Sequence, residues 1–330
     1  MGSKTGIEWA DVTWGPWQGC TPVSDGCQQC YMYREKRRYG QDPTKIVRSS
    51  DSTFRMPMSR KRVPPGSFVF VCSWSDFFHP DVPDDWRHEA FGYMAYRYDV
   101  TFLLLTKRPQ RMADYLGEWE PETCGALLAN EFDHHPSKVT RHRLEQTVDW
   151  LHGEWCTDEY AMPPFDTMAD ACDGLPNVWL GVTAENQARA DERIPQLLSI
   201  DWPGKRFVSL EPLLGPVDLS ITDCPDAHSM LSWVICGGES GPRARPVHPD
   251  WVRSLRDQCH TAGVPFMYKQ WGEWASNCDH PPYPGKACAS VPRPAPGKSG
   301  AMFRCGKKRA GRELDGREWL ERPDTGKDGE

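Results

Sequence analysis

The chain has no apolar run near the ~20 residues that a membrane-spanning helix requires, so neither a helical membrane protein nor a membrane partner is expected. Its first residues, MGSKTGIEWADVTW, carry no apolar core. A secretory leader is therefore not expected, and the expected location is the cytoplasm. No internal repeat is visible beyond an alternation of strand-like and helix-like segments. An excess of basic charge is also missing. The net charge of −7 argues against a general nucleic-acid coat.

What is present suits a globular chain of 330 residues, with one large domain or a domain plus an appendage. Hydrophobic residues make up 38% and charged residues 26%, enough for a soluble core. Thirty prolines, 28 glycines and 15 tryptophans argue against coiled coils and suit short elements with tight loops. Thirteen cysteines is a high and odd number. Without an export signal, metal or redox use is a better reading than a disulfide scaffold.

The net charge hides an asymmetry. Residues 117–173 hold thirteen acids against three bases, and residues 34–62 hold ten bases against three acids. Two solvated surface segments would explain this. The sharper reading is a basic strip for a polyanion, with Arg37, Arg38, Lys61 and Arg62 as candidate contacts.

Several segments repeat one plan of apolar run, polar cluster and helical pattern. Strands are expected near residues 11–14 and at the starts of 67–79, 99–109, 177–186, 205–215, 231–241 and 264–274. DDWRHEAFGYMAYR spaces Trp86, Ala90, Phe91, Met94 and Ala95 on one helical face. A short helix is expected at 110–116, and another uses Ile194, Leu197 and Leu198. HPDWVRSLRDQCHTAG reads as a helix with Trp251, Val252, Leu255 and Cys259 inward and Gly263 as its stop. Continuous apolar strands alternating with helices indicate a parallel sheet covered by helices. About six or seven strands fit an α/β fold of the partial (β/α) barrel kind, with a doubly wound sheet as the alternative. The barrel would comprise 1–116 and 177–275. Residues 117–176 form an acidic, partly helical insertion, and 276–330 a loosely packed Pro/Gly/Lys-rich C-terminal extension, disordered at its end.

Barrel chemistry collects at the C-terminal ends of strands. Here those ends carry Ser75, Asp76, Lys107, Arg108, Glu185, Asn186, Glu211 and Glu239. Each could instead cap a helix or end a strand in solvent. Their recurrence is the stronger signal.

The most informative segment is WGPWQGCTPVSDGCQQCYMYR. Cys20, Cys27 and Cys30 are spaced C-x6-C-x2-C just after the first expected strand. Gly19 and Gly26 precede two of them and permit tight wrapping. Three thiolates from one loop can hold iron–sulfur or zinc. Zinc would need a fourth ligand such as His79 or another cysteine, and three unligated thiols remain an alternative. Cys72, Cys236 and Cys259 sit in apolar patterns and read as core residues, while Cys278, Cys288 and Cys305 form a looser set in the tail.

Loop, position and the following CYM resemble the radical S-adenosylmethionine (SAM) enzymes, although the spacing departs from their usual C-x3-C-x2-C. TGIEW, SDFFHPDVPD, LTKRPQRM, LGVTAENQ with ADERIP, SLEPLLGPVDL, GGESGPRARPVHPDWVRSLRDQC, FMYKQWGEW and GKKRAGRELDGREW extend the resemblance to the phage-associated three-cysteine-motif family, a domain of unknown function. The cysteine loop is also similar, over a shorter stretch, to that of spore photoproduct lyase, which acts on DNA thymines. The resemblance implies a [4Fe–4S] cluster on Cys20, Cys27 and Cys30, with SAM on the remaining iron. It implies Ser75 and Asp76 on the SAM amino group, Lys107 or Arg108 on its carboxylate, and Glu185 and Asn186 on the ribose. Glu211 and Glu239 become candidates for SAM or substrate contact. The Gly-Gly-Glu segment of such enzymes follows an early strand; Gly237-Gly238-Glu239 follows a late one, so that role does not transfer. A flavodoxin or ferredoxin would supply electrons. The expected substrate is a nucleic-acid base, in DNA modification or repair, with Tyr31, Tyr33, Phe54, Trp74 and Phe77 as candidate stacking groups. A small-molecule or peptide substrate, or a non-catalytic metal-stabilised nucleic-acid-binding protein, are the alternatives.

Overall fold

Seven apolar runs of the chain pair side by side in a computed structural model that describes residues 5–117, 175–219, 231–276, 288–291 and 300–324. They are β1 (Val12–Trp14), β2 (Phe68–Val71), β3 (Thr101–Thr106), β4 (Val178–Thr183), β5 (Arg206–Leu210), β6 (Leu231–Gly237) and β7 (Phe266–Gln270). All are parallel, and their spatial order is their sequence order. Every crossover therefore steps the same way. With the usual right-handed crossover this puts the helices on one face and curls the sheet into part of a barrel. A doubly wound sheet needs a reversal of strand order, and none occurs here.

The longer helices among the described residues are α1 (Tyr31–Arg38), α2 (Asp84–Tyr96), α3 (Pro109–Gly117), α4 (Gln187–Leu198) and α5 (Pro249–Ala262). The chemistry of α5 is visible at both ends. His248 accepts the Asp250 N–H, Pro249 opens the first turn, and Gly263 stops the helix at φ 66°. Asn186 caps α4 by accepting the Arg189 N–H at 3.1 Å.

Strand residues alternate between two apolar layers, as a period of two requires. Outward residues such as Val69, Phe102, Leu180 and Val208 pack with Ala90, Leu197 and Leu255 of the helices. Inward residues Phe68, Phe70, Leu103, Trp179, Phe207, Trp233 and Met267 form a second cluster, joined by Trp9 from before β1. Gly181 makes room for this plug. A Cβ there would lie 2.4 Å from the Phe207 ring. The next inward positions, Thr183, Ser209, Glu211 and Lys269, are polar and line a cavity.

Residues 300–324 are not the loosely packed tail that composition predicts. Met302, Ala310, Leu314 and Trp319 are buried. The Tyr268 N–H donates to Trp319 O at 2.8 Å, and Leu320 bridges Met267 antiparallel. The tail thereby covers the free edge of β7. Arg322 donates to Asp11 at 3.3 Å and to Glu8 O at 3.1 Å, tying the tail to the segment before β1. Averaging over many Pro, Gly and Lys hid these few large apolar anchors. The acidic stretch 118–174 with its expected helix, and 325–330, lie outside the described residues.

Candidate functional site: a cysteine loop over the barrel mouth

Above the apolar plug lies a cavity of about 480 Å³ at the C-terminal ends of the strands. Cys20, Cys27 and Cys30 all line it, with Ser75, Asp76, Lys107, Arg108, Glu211, Glu239 and Lys269. The loop bearing the thiols begins at Gly19, whose φ is 105° and where a Cβ would lie 2.1 Å from Lys45 O. Only glycine fits there. The Gly19 N–H donates to Trp74 O at 3.0 Å, and the Ser75 hydroxyl donates to Gly19 O at 2.5 Å.

Three carboxylates from three strand ends then hold the loop. After β2, Asp76 Oδ1 accepts from the Thr106 hydroxyl (2.7 Å) and the Phe78 N–H (3.0 Å). Its Oδ2 accepts from the Lys107 N–H (3.1 Å) and Arg108 Nη1 (2.9 Å). Arg108, so oriented, donates to Thr21 O at 2.8 Å and lies 3.7 Å from Cys20 Sγ. After β4, Glu185 Oε1 accepts the Gly26 N–H at 3.1 Å, and Oε2 pairs with Arg193 at 3.1 Å. After β6, Glu239 takes Arg245 bidentately, at 2.7 and 2.9 Å, and Arg245 Nη2 donates to Asp25 O at 3.0 Å. The Tyr33 hydroxyl adds a bond to Cys20 O at 2.6 Å.

Burial, reinforced by Asp76, pushes the Cys20 thiol up to about 11 against the pull of Arg108. Cys20 therefore carries its proton at neutral pH. Burial opposes ionisation of Glu185, but the nearby Ser24 hydroxyl, the Arg193 charge and the Gly26 N–H outweigh it and lower its pKa. His79 is lowered, first by burial and then by Arg108.

The thiols form no disulfide. Among the described residues, no three His, Cys, Asp or Glu side chains converge closely enough to enclose a metal ion as placed. The donor set fits a thiolate-held centre in kind: three thiols on one anchored loop, all lining one cavity. Among the described residues no histidine lines that cavity, and His79 Nε2 is engaged by the Thr21 hydroxyl at 2.8 Å.

Residues 4–323 match a family described as Protein of unknown function (DUF5131). The chain belongs to the DUF5131 family. No curated protein and no solved structure matches it.

In this DUF5131 chain the cavity gathers every strand-end candidate except Glu185 and Asn186. Asn186 is spent on capping α4, and Glu185 is fully buried beneath the loop. Ser75, Asp76, Glu185 and Glu239 each spend at least one oxygen on the loop or on an arginine that holds it. Glu211 differs: it meets Lys269 at 2.9 Å and Trp9 Nε1 at 3.0 Å inside the barrel. Lys269, Trp9, Arg193 and Arg245 went unmarked in the sequence. Lys269 follows Met267 on the inward face of β7, a charge in the inward register.

Arg37, Arg38, Lys61 and Arg62 are exposed, but Lys36 is buried and Arg48 pairs with Glu89 at 2.8 Å. Tyr31 and Trp74 line the cavity. Phe54 and Phe77 do not stack on a ligand; both are fully buried, packed on Trp17 at 6.3 and 5.0 Å between ring centroids. Cys72, Cys236, Cys259 and Cys305 are buried. Cys278 and the Cys288 side chain lie outside the described residues.

Proposed function

We propose that this protein is a radical SAM enzyme acting on a nucleic-acid base. Cys20, Cys27 and Cys30 would hold a [4Fe–4S] cluster, and the cavity they face would take SAM. When bound and reduced, that pair supplies a 5′-deoxyadenosyl radical able to abstract a hydrogen atom. The observation that carries the reading is the tethering: carboxylates after β2, β4 and β6 hold one three-thiol loop over the mouth of a partial barrel. Such preorganisation is what a site needs to keep reactive chemistry in one geometry.

The chain's own residues divide the work. Arg108, oriented by Asp76, holds the backbone beside Cys20, and its charge favours the Cys20 thiolate that ligation requires. Glu185 and Arg245 fix the backbone around Cys27. Lys107 lines the cavity and has no ion-pair partner among the described residues, leaving it for an anionic group of a ligand. The exposed Arg37, Arg38, Lys61 and Arg62 support a polyanionic substrate, and a flavodoxin or ferredoxin is the proposed electron donor.

Anaerobic reconstitution with iron and sulfide, followed by reduction with SAM present, tests this. The expected result is 5′-deoxyadenosine from the wild type and none from Cys27→Ala, with both proteins folded. Full SAM cleavage by Cys27→Ala would remove the ligand assignment. Neutralising Arg37, Arg38, Lys61 and Arg62 should weaken DNA binding and flatten its salt dependence.

A further inference from the structure

The loop's anchorage leaves one polar group of the barrel interior unexplained. Glu211 and Lys269 form an ion pair of 2.9 Å at the ends of β5 and β7, with side chains only 14% and 16% exposed. The pair touches no part of the cysteine loop through any hydrogen bond among the described residues. It is nevertheless built with care. Trp9 Nε1 and the Ser209 hydroxyl both bond Glu211 Oε2, at 3.0 and 3.3 Å. Gly237 clears its flank, since a Cβ there would lie 2.8 Å from Glu211 Oε1. Gln270, the next residue along β7 after Lys269, is 7% exposed and lines the same cavity, and among the described residues its Oε1 has no hydrogen-bond partner. A buried acceptor left empty costs free energy unless a ligand or water fills it.

We infer that Glu211, Lys269 and Gln270 form a binding site for a planar heterocycle with adjacent N–H and C=O groups, the lactam edge of a nucleobase. The pair is internally neutral, so a neutral ligand leaves it intact. Lys269 keeps ammonium hydrogens for a carbonyl, while Glu211 and Gln270 Oε1 offer acceptors for the neighbouring N–H. Trp9, Phe70, Tyr31 and Trp74 line the same cavity and give it apolar aromatic walls beside the polar pair. A singly charged ligand would unbalance a largely buried pair. This rests on the base-directed reading above and names the residues that would read the base.

Titration calorimetry of the full chain tests it, with thymidine, N3-methylthymidine and L-methionine as probes. Thymidine is expected to bind. N3-methylthymidine, which lacks the N–H, is expected at least about tenfold weaker. Lys269→Met should weaken thymidine by about tenfold to a hundredfold, with circular dichroism confirming the fold. The methylated probe works on the wild type, so a poorly folding variant does not spare the idea. Equal binding of the two nucleosides, no binding of thymidine, or preference for L-methionine, which would mark a zwitterion site, each overturns it. Thymidine binding without SAM cleavage would overturn the enzyme reading alone. SAM cleavage without nucleoside binding would overturn this inference alone.

Discussion

Replacing Glu185 by glutamine removes the charge from the one loop anchor that solvent does not reach. Glu185 is 0% exposed and its partner Arg193 2%. Removing one member of such a pair strands the other and costs about 3–5 kcal/mol. Arg193 keeps its bond to Thr183 O at 2.7 Å, and the amide oxygen of the substituted side chain can still accept the Gly26 N–H, so the loss should fall near the lower end, about 3 kcal/mol. Urea unfolding at pH 7 measures it. Glu185→Gln with Arg193→Met should lose less than the sum of the single changes, by about 2 kcal/mol of coupling. The pH dependence has a fixed sign. The folded carboxyl lies below its ordinary 4.5, so its contribution is full above that value and disappears as pH falls through the lower folded value. Glu185→Gln should lack that part of the acid loss. A stability change under about 0.5 kcal/mol, or no coupling to Arg193, would refute the anchoring role.

Two further outcomes are expected. Burial holds the pKa of His79 and His88 below 6.5, so the unfolded chain takes up protons first as pH falls through that value. Stability should then fall as pH drops through 6.5, with a slope of at most about 1.4 kcal/mol per pH unit for each imidazole, read from urea midpoints between about pH 7 and 5.5; a flat profile contradicts the effect of burial. Trp319 is 8% exposed, 3.3 Å from the Arg317 guanidinium to ring centroid, and its carbonyl accepts from β7. Trp319→Ala should cost about 3 kcal/mol of stability, whereas a loosely attached tail would show almost none.

The barrel was legible because its strands are buried on both faces and so read as unbroken apolar runs, four of them followed by a helical pattern. Gly263 marked the end of α5 for the same local reason: a helix stop is backbone chemistry. The loop was legible through its cysteines and through Gly19, whose backbone only glycine can adopt. What the polar strand ends do was not legible. Glu185 meets Gly26 across 159 residues and Trp9 meets Glu211 across 202, and no local pattern encodes either pairing. A carboxylate that anchors a loop and one that faces a ligand look alike in sequence. Lys269 was readable only from the inward register of β7, once that strand had a partner to set its faces.

Beneath the proposed chemistry lies one claim, that the three thiols hold a cluster with one iron open to an outside ligand. Electron paramagnetic resonance of the anaerobically reconstituted, reduced protein, recorded before and after SAM is added, addresses it most directly. The predicted result is about four irons per chain and a cluster signal that changes when SAM binds. A tightly held zinc in place of iron, or a cluster signal indifferent to SAM, would contradict it.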